Sequence, residues 1–209
     1  MINTLMKRIT LWLAFLTACT VLAGCLKKQS PEVTYYSLLS TEQLSVIAAT
    51  DPAESDLRLG IGPITIPDSM KRSQLVTRDA QNIYRFDEYH RWAGILEKDI
   101  TVILGENLGA LLGVNKIGFF PWMQNFTPTY RVIIDIIRFD GELSGEAILN
   151  ARWTIADAEG MVNLAEGKSV YRQPVEGGDF TGLVKAESLL LGELSRDLAK
   201  IIKTLPRQK

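Results

Sequence analysis

Few side chains in this 209-residue chain could do chemistry: one histidine, His90, and two cysteines, Cys19 and Cys25. A serine or cysteine nucleophile needs a base within hydrogen-bond reach, and His90 is the one imidazole on offer. It follows Asp87 and Glu88 and comes just before an apolar-periodic run, so it reads as a surface or capping residue at a helix N-terminus, where acidic neighbours suit the helix dipole. No Gly-x-Ser-x-Gly elbow occurs. A metal centre would want clustered ligands, which one histidine and two thiols do not supply. The glycines of "GIGP" at Gly60 to Pro63 lack the helix start and later glycine of a dinucleotide loop, and read as a bend. No catalytic, metal-binding or cofactor-binding residue is assigned, and an envelope hydrolase would need a constellation that is not there.

The chemistry that the sequence does support is done to Cys25. Lys7 and Arg8 precede the apolar run "ITLWLAFLTACTVLAGCL" from Ile9 to Leu26. A basic start, an apolar middle and small residues at a cut site are the layout of a secretory leader, not of a membrane span, which needs about 20 apolar residues. Leu22-Ala23-Gly24-Cys25 resembles the bacterial lipobox. There the thiol receives a diacylglyceryl group, the bond before it is cut, and the new amine is acylated, so Cys25 would carry S-diacylglycerol and N-acyl groups, palmitate among them. Leu16-Thr17-Ala18-Cys19 fits more loosely. Cys25 is preferred because its cut leaves a fuller apolar region behind and puts polar "KKQSPEVT" almost directly after the lipid.

The expected layout is a leader over 1–24, a lipidated tether over 25–34 and one domain over 35–209. Removing 1–24 from 209 residues leaves 185, enough for a single compact core. The leader takes two of 23 basic side chains and none of 24 acidic ones, so the mature charge is −3, which gives nucleic acid no basic face. After processing no free thiol remains, so the core alone must hold the domain. The tether from Leu26 to Thr34, nine residues at 3.3–3.6 Å each, reaches about 30 Å.

The periodicities predict an α+β fold: a mainly antiparallel sheet with two amphipathic helices packed on one face, in a single domain. Strands are predicted at Tyr35 to Leu39, at Leu57 to Ile66 with a bulge or edge near Pro63, and as a hairpin from Gln74–Arg78 and Ile83–Asp87 around "DAQN". Thr41 to Asp56 reads as loop. Trp92, Leu96, Ile100, Leu104, Leu108 and Leu111 predict a first helix stopped by Gly113. Three strands follow between Tyr130 and Arg172; in one, Ala147, Leu149, Ala151, Trp153 and Ile155 alternate with polar residues. "DAEG" turns it, Gly177-Gly178 opens the next loop, and a last helix carries Phe180 through Leu205. "GFFPWMQNF" at Gly118 to Phe126 has two readings: a loop folded onto the core, or an apolar patch for a partner or lipid made by Phe119, Phe120, Trp122 and Phe126.

In order, "YYSL", "IGPITIPDSMKRSQLVTR", "RWAGILEKDITVILGENLGALL", "FFPW" and "YRVIIDIIRFDG…ARWTIADAEG" resemble the PqiC family of ABC-type transport auxiliary lipoproteins, from Tyr35 to about Leu205. The resemblance implies a non-enzymatic lipoprotein on the periplasmic face of the outer membrane of a Gram-negative bacterium. It would serve a paraquat-inducible-type system that moves lipid between membranes through an MCE-domain protein, supporting membrane integrity as a homo-oligomer at that partner's outer-membrane end. It also favours an inward role for Trp122. The rival reading is a periplasmic lipid-binding carrier or chaperone that itself holds an acyl chain; an apolar cavity between helices and sheet would support it, whereas a filled core with an exposed apolar rim would support docking.

Lipidation at Cys25 is directly testable. Cells fed labelled palmitate should label the wild type and leave Cys25→Ser unlabelled; equal labelling of both would move the site to Cys19.

Overall fold

A computed structural model describes residues 31–44 and 56–206, together with Met6, Arg8 and Trp12. Cys19, Cys25, the tether up to Ser30 and most of the 41–56 loop lie outside the described residues. Eight strands form one sheet: β1 Thr34–Tyr36, β2 Leu59–Thr65, β3 Gln74–Arg78, β4 Tyr84–Trp92, β5 Ile117–Phe119, β6 Tyr130–Gly141, β7 Glu146–Ala156 and β8 Asn163–Pro174. The helices are α1, Leu96–Leu112, and α2, Phe180–Thr204. This is the α+β architecture the periodicities predict. Most paired residues are antiparallel, in the β3–β4 hairpin and the long β6–β7–β8 meander. The β1–β4, β2–β5, β2–β6 and β3–β6 pairings are parallel, and they are short.

Strand β6 organises the sheet. One of its edges pairs with β7 along its length, while the other is shared by β2 at its start and β3 at its end. Its buried apolar side chains are Tyr130, Val132, Ile134 and Ile136, then Phe139 after a register shift between Ile136 and Arg138. The shift moves the inward phase from even to odd positions, as a bulge must when the side-chain period is two. Because β3 runs parallel to β6 with Thr77 opposite Gly141, the hairpin tip at Asp79–Asn82 extends past the C-terminal end of β6. The β7–β8 turn at Asp157–Val162 sits at the other end, beside Arg131. The two tips mark opposite ends of a 12-residue strand, about 40 Å apart at 3.3 Å per residue.

Both helices follow their apolar stripes. In α1 the predicted face Leu96, Ile100, Leu104 and Leu108 is buried, and Gly113, at φ 64°, caps the end in the left-handed region that favours glycine. Trp92, expected on that helix, instead ends β4: its N–H donates to Ser73 O at 2.7 Å, and Gly94 and an extended Ile95 separate it from the first turn. In α2, Leu183, Leu190, Leu191, Leu194 and Leu198 are fully buried, and Asp179 caps the start by accepting from Gly182 N–H at 2.8 Å. The predicted strand at Tyr35–Leu39 is shorter than expected. After Tyr36 the chain becomes a strap between the helices, where Leu39 N–H donates to Ser188 Oγ of α2 at 3.1 Å and Thr41 N–H to Asn107 Oδ1 of α1 at 2.8 Å. Those polar partners, not sheet pairing, take up its backbone groups.

One core group is costly. Glu187 of α2 is 1% exposed, and its Oε2 has no hydrogen-bond partner among the described residues. Burial pushes its carboxyl well above the ordinary glutamate range, and the neighbouring Asp140 charge adds to this. The folded chain therefore keeps a proton that the unfolded chain releases above about pH 4.3, so this group's contribution to stability is full below that pH and declines as pH rises toward the raised value. Glu187→Gln, which cannot ionise, should flatten that decline: denaturant midpoints at pH 5 and pH 9 should lie closer together in the variant than in the wild type.

Candidate functional site: an apolar rim beside the first helix

The segment from Phe119 to Phe126 joins β5 to β6, and the structure divides its aromatic residues into two sets. Trp122 and Phe126 turn inward and are half-buried, while Phe119 and Phe120 are 41% and 51% exposed. Glycines allow the inward pair to seat. A Cβ on Gly60 would meet the Trp122 ring at 2.8 Å, and one on Gly118 would collide with the Phe126 ring. Trp122 packs edge-on against Phe120 at 5.6 Å and tilted against Phe126 at 6.3 Å, with the Arg131 guanidinium 5.9 Å from its ring centre. The segment is thus folded onto the core through Trp122 and Phe126, while Phe119 and Phe120 stay at the surface.

The outward pair edges a groove of about 600 Å³. One wall is the bend of β2, from Ile61 through the cis Gly62–Pro63 bond to Thr65; another is the first half of α1 with Thr101 and Val102; the third is Phe119–Pro121. Phe119 lies over Gly105 of α1, whose missing side chain lets the ring approach. Val102 is 42% exposed and Met123, next along the segment, 74%. Glu97 and Lys98 are the groove's charged lining. Ile61 in the lining and Ile100 and Leu104 of α1 are wholly buried, so the apolar rim borders the buried core. Neither the α1 glycines nor Val102 was singled out by the sequence; Gly105 and Gly109 four apart on one helix were the available signal.

His90 stands elsewhere, and not at a helix N-terminus. It lies within β4, its ring stacked on Phe180 of α2 at 4.1 Å and tilted against Tyr36 at 5.9 Å. Its Nδ1 is 2.8 Å from Asp87 Oδ1, which also accepts from the Tyr89 and His90 N–H groups. Burial works to raise the Asp87 carboxyl, but those hydrogen bonds outweigh it and hold the group below its ordinary range. This cluster pins β4 to the start of α2. Among the described residues no three His, Cys, Asp or Glu come together to hold a metal.

The residues from 36 to 199 match the family model for the ABC-type transport auxiliary lipoprotein component, and the chain belongs to that family. It is a family of transport accessory lipoproteins, not of enzymes. Two solved structures share the fold. An uncharacterized protein superposes with a TM-score of 0.65 at 16% identity, over 82% of this chain and 99% of its own. A Xanthomonas campestris protein of family DUF330 also gives 0.65, at 12% identity, over 81% of this chain and 94% of its own. No curated protein matches the chain.

The inward and outward aromatic residues should separate in a stability measurement. Gly60→Ala, which must displace Trp122, should destabilise by roughly 1–3 kcal/mol. Phe120→Ala should fall within about 1 kcal/mol of wild type, because half of its surface is already in water. Denaturant midpoints of the two variants check both.

Proposed function

We propose that the protein is acylated at Cys25, anchored in the outer membrane on its periplasmic face, and acts there as the accessory docking subunit of an MCE-type intermembrane lipid transport system, assembled as a homo-oligomer. The observation that carries this is the exposed apolar rim of Phe119, Phe120 and Val102 around a groove whose neighbours Ile61, Ile100 and Leu104 are fully buried. A carrier must enclose an acyl chain; a docking subunit must offer apolar surface with polar surroundings to a partner. Membership of a transport auxiliary lipoprotein family supports the accessory role. Leu26, following Cys25, supports export, since in enteric bacteria an Asp at that position retains lipoproteins in the inner membrane.

The carrier reading keeps one observation in its favour, the volume of the groove, which suits a single acyl chain. The two readings part in a crosslinking pull-down from membranes. Phe120→Asp should cut recovery of the MCE-domain partner several-fold while leaving thermal stability and membrane fractionation unchanged, and lipid extracted from the purified wild type should be substoichiometric. Stoichiometric acyl chains in that extract, lost in Phe120→Asp, would establish the carrier instead. Density fractionation that finds the wild type with inner-membrane markers would overturn the outer-membrane assignment.

A further inference from the structure

The β3–β4 hairpin, which lies in sequence between the groove walls β2 and α1, carries a second exposed aromatic surface. Ile83, Tyr84, Phe86 and Tyr89 are between 37% and 53% exposed. Tyr84 and Phe86 stack with ring centres 6.3 Å apart, Arg72 lies over Phe86 at 3.9 Å, and Arg78 over Tyr84 at 5.0 Å. Large aromatic residues beside arginine suit a boundary with one apolar and one charged side, since tyrosine presents an apolar body with a polar tip and arginine buries its stem while keeping its head in water. Residues 71–92 hold five basic and three acidic side chains, a net positive segment in a chain of net charge −1. The acids are engaged inside the hairpin: Asp79 holds the turn through Gln81 and Ile83 N–H, Asp87 holds His90, and Glu88 pairs with Arg91. Arg72 has no carboxylate partner among the described residues, and the Arg85 side chain, although 3.7 Å from Asp79 Oδ2, is 72% exposed.

The direction of β1 says what this surface meets. β1 is parallel to β4, with Thr34 opposite His90 and Tyr36 opposite Trp92, so its N-terminal end points toward the Tyr84 end of the hairpin. Tyr84 is six residues from His90, about 20 Å at 3.3 Å per residue. A tether of nine residues reaches about 30 Å, so an anchor at Cys25 brings a bilayer within range of this end and leaves the Asp157–Val162 turn at the opposite one. We infer that the β3–β4 hairpin, through Ile83, Tyr84, Phe86, Arg72 and Arg85, rests on the anionic phospholipid surface that holds the chain's own lipid. This rests on the proposed anchoring at Cys25 and adds to it a fixed orientation, with the hairpin on the headgroups and the β7–β8 turn pointing away.

The test uses the full chain, secreted with its lipid and reconstituted onto vesicles of phosphatidylethanolamine and phosphatidylglycerol carrying brominated acyl chains, which quench tryptophan at the membrane. Tyr84→Trp should add emission that these vesicles quench at least twofold more than the emission added by Met161→Trp at the far turn. Adding Arg72→Glu and Arg85→Glu to Tyr84→Trp should return quenching to the Met161→Trp level with vesicle co-sedimentation unchanged. Co-sedimentation with equal quenching at the two positions overturns the inference and leaves the anchor standing. Loss of co-sedimentation removes the anchoring, and the inference with it.

Discussion

The structure depends on the hydrogen bonding of one strand. β6 has no free edge along most of its length, because β7 takes one side and β2 and β3 divide the other. A strand buried this way must satisfy every backbone group through its neighbours. That demand places β2, with its bend, beside the first half of β6 and the β3–β4 hairpin beyond the second. The groove and the hairpin surface are therefore held in one rigid frame, in which the hairpin lies in sequence between β2 and α1, the two elements that wall the groove.

Glycine sets the second constraint, through close approach more than through turns. Gly60 and Gly118 clear space for Trp122 and Phe126, while Gly105 and Gly109 let Phe119 and Ile117 lie against α1. With those rings seated, the remaining aromatic residues of the segment cannot also turn inward. The apolar rim is thus a geometric remainder of core packing, kept in place by the residues beneath it.

Much of this was legible in the sequence. The stripes of α1 and α2, the Gly113 stop, the "DAQN" and "DAEG" turns and the alternation of β7 are local signals of period 3.6 or 2, and each element stands where they point. What was not legible depends on contacts distant in sequence. Trp92 fits the helical stripe by spacing, and its bond to Ser73 with its pairing opposite Tyr36 of β1 keeps it in a strand. His90 looks like a capping residue until Phe180, 90 positions later, stacks on it. The strap at Leu39–Thr41 has no strand partner to announce it, since its partners are single side chains on two helices. The split of the Gly118–Phe126 aromatic residues likewise needs Gly60, which no local pattern connects to Trp122.

The parallel pairing of β1 with β4 has a mechanical side. A pull applied through the residues before Thr34 runs along the strand axis, so the β1–β4 hydrogen bonds bear it side by side, in shear, and are not peeled open one at a time. If they yield, the load passes to the strap, where Ser188 and Asn107 tie the chain to both helices and through them to the core. Three residues of strand and two buried side chains thus form a graded clamp, in which tension from the N-terminal side must break several bonds together before it reaches the packing that keeps the domain folded.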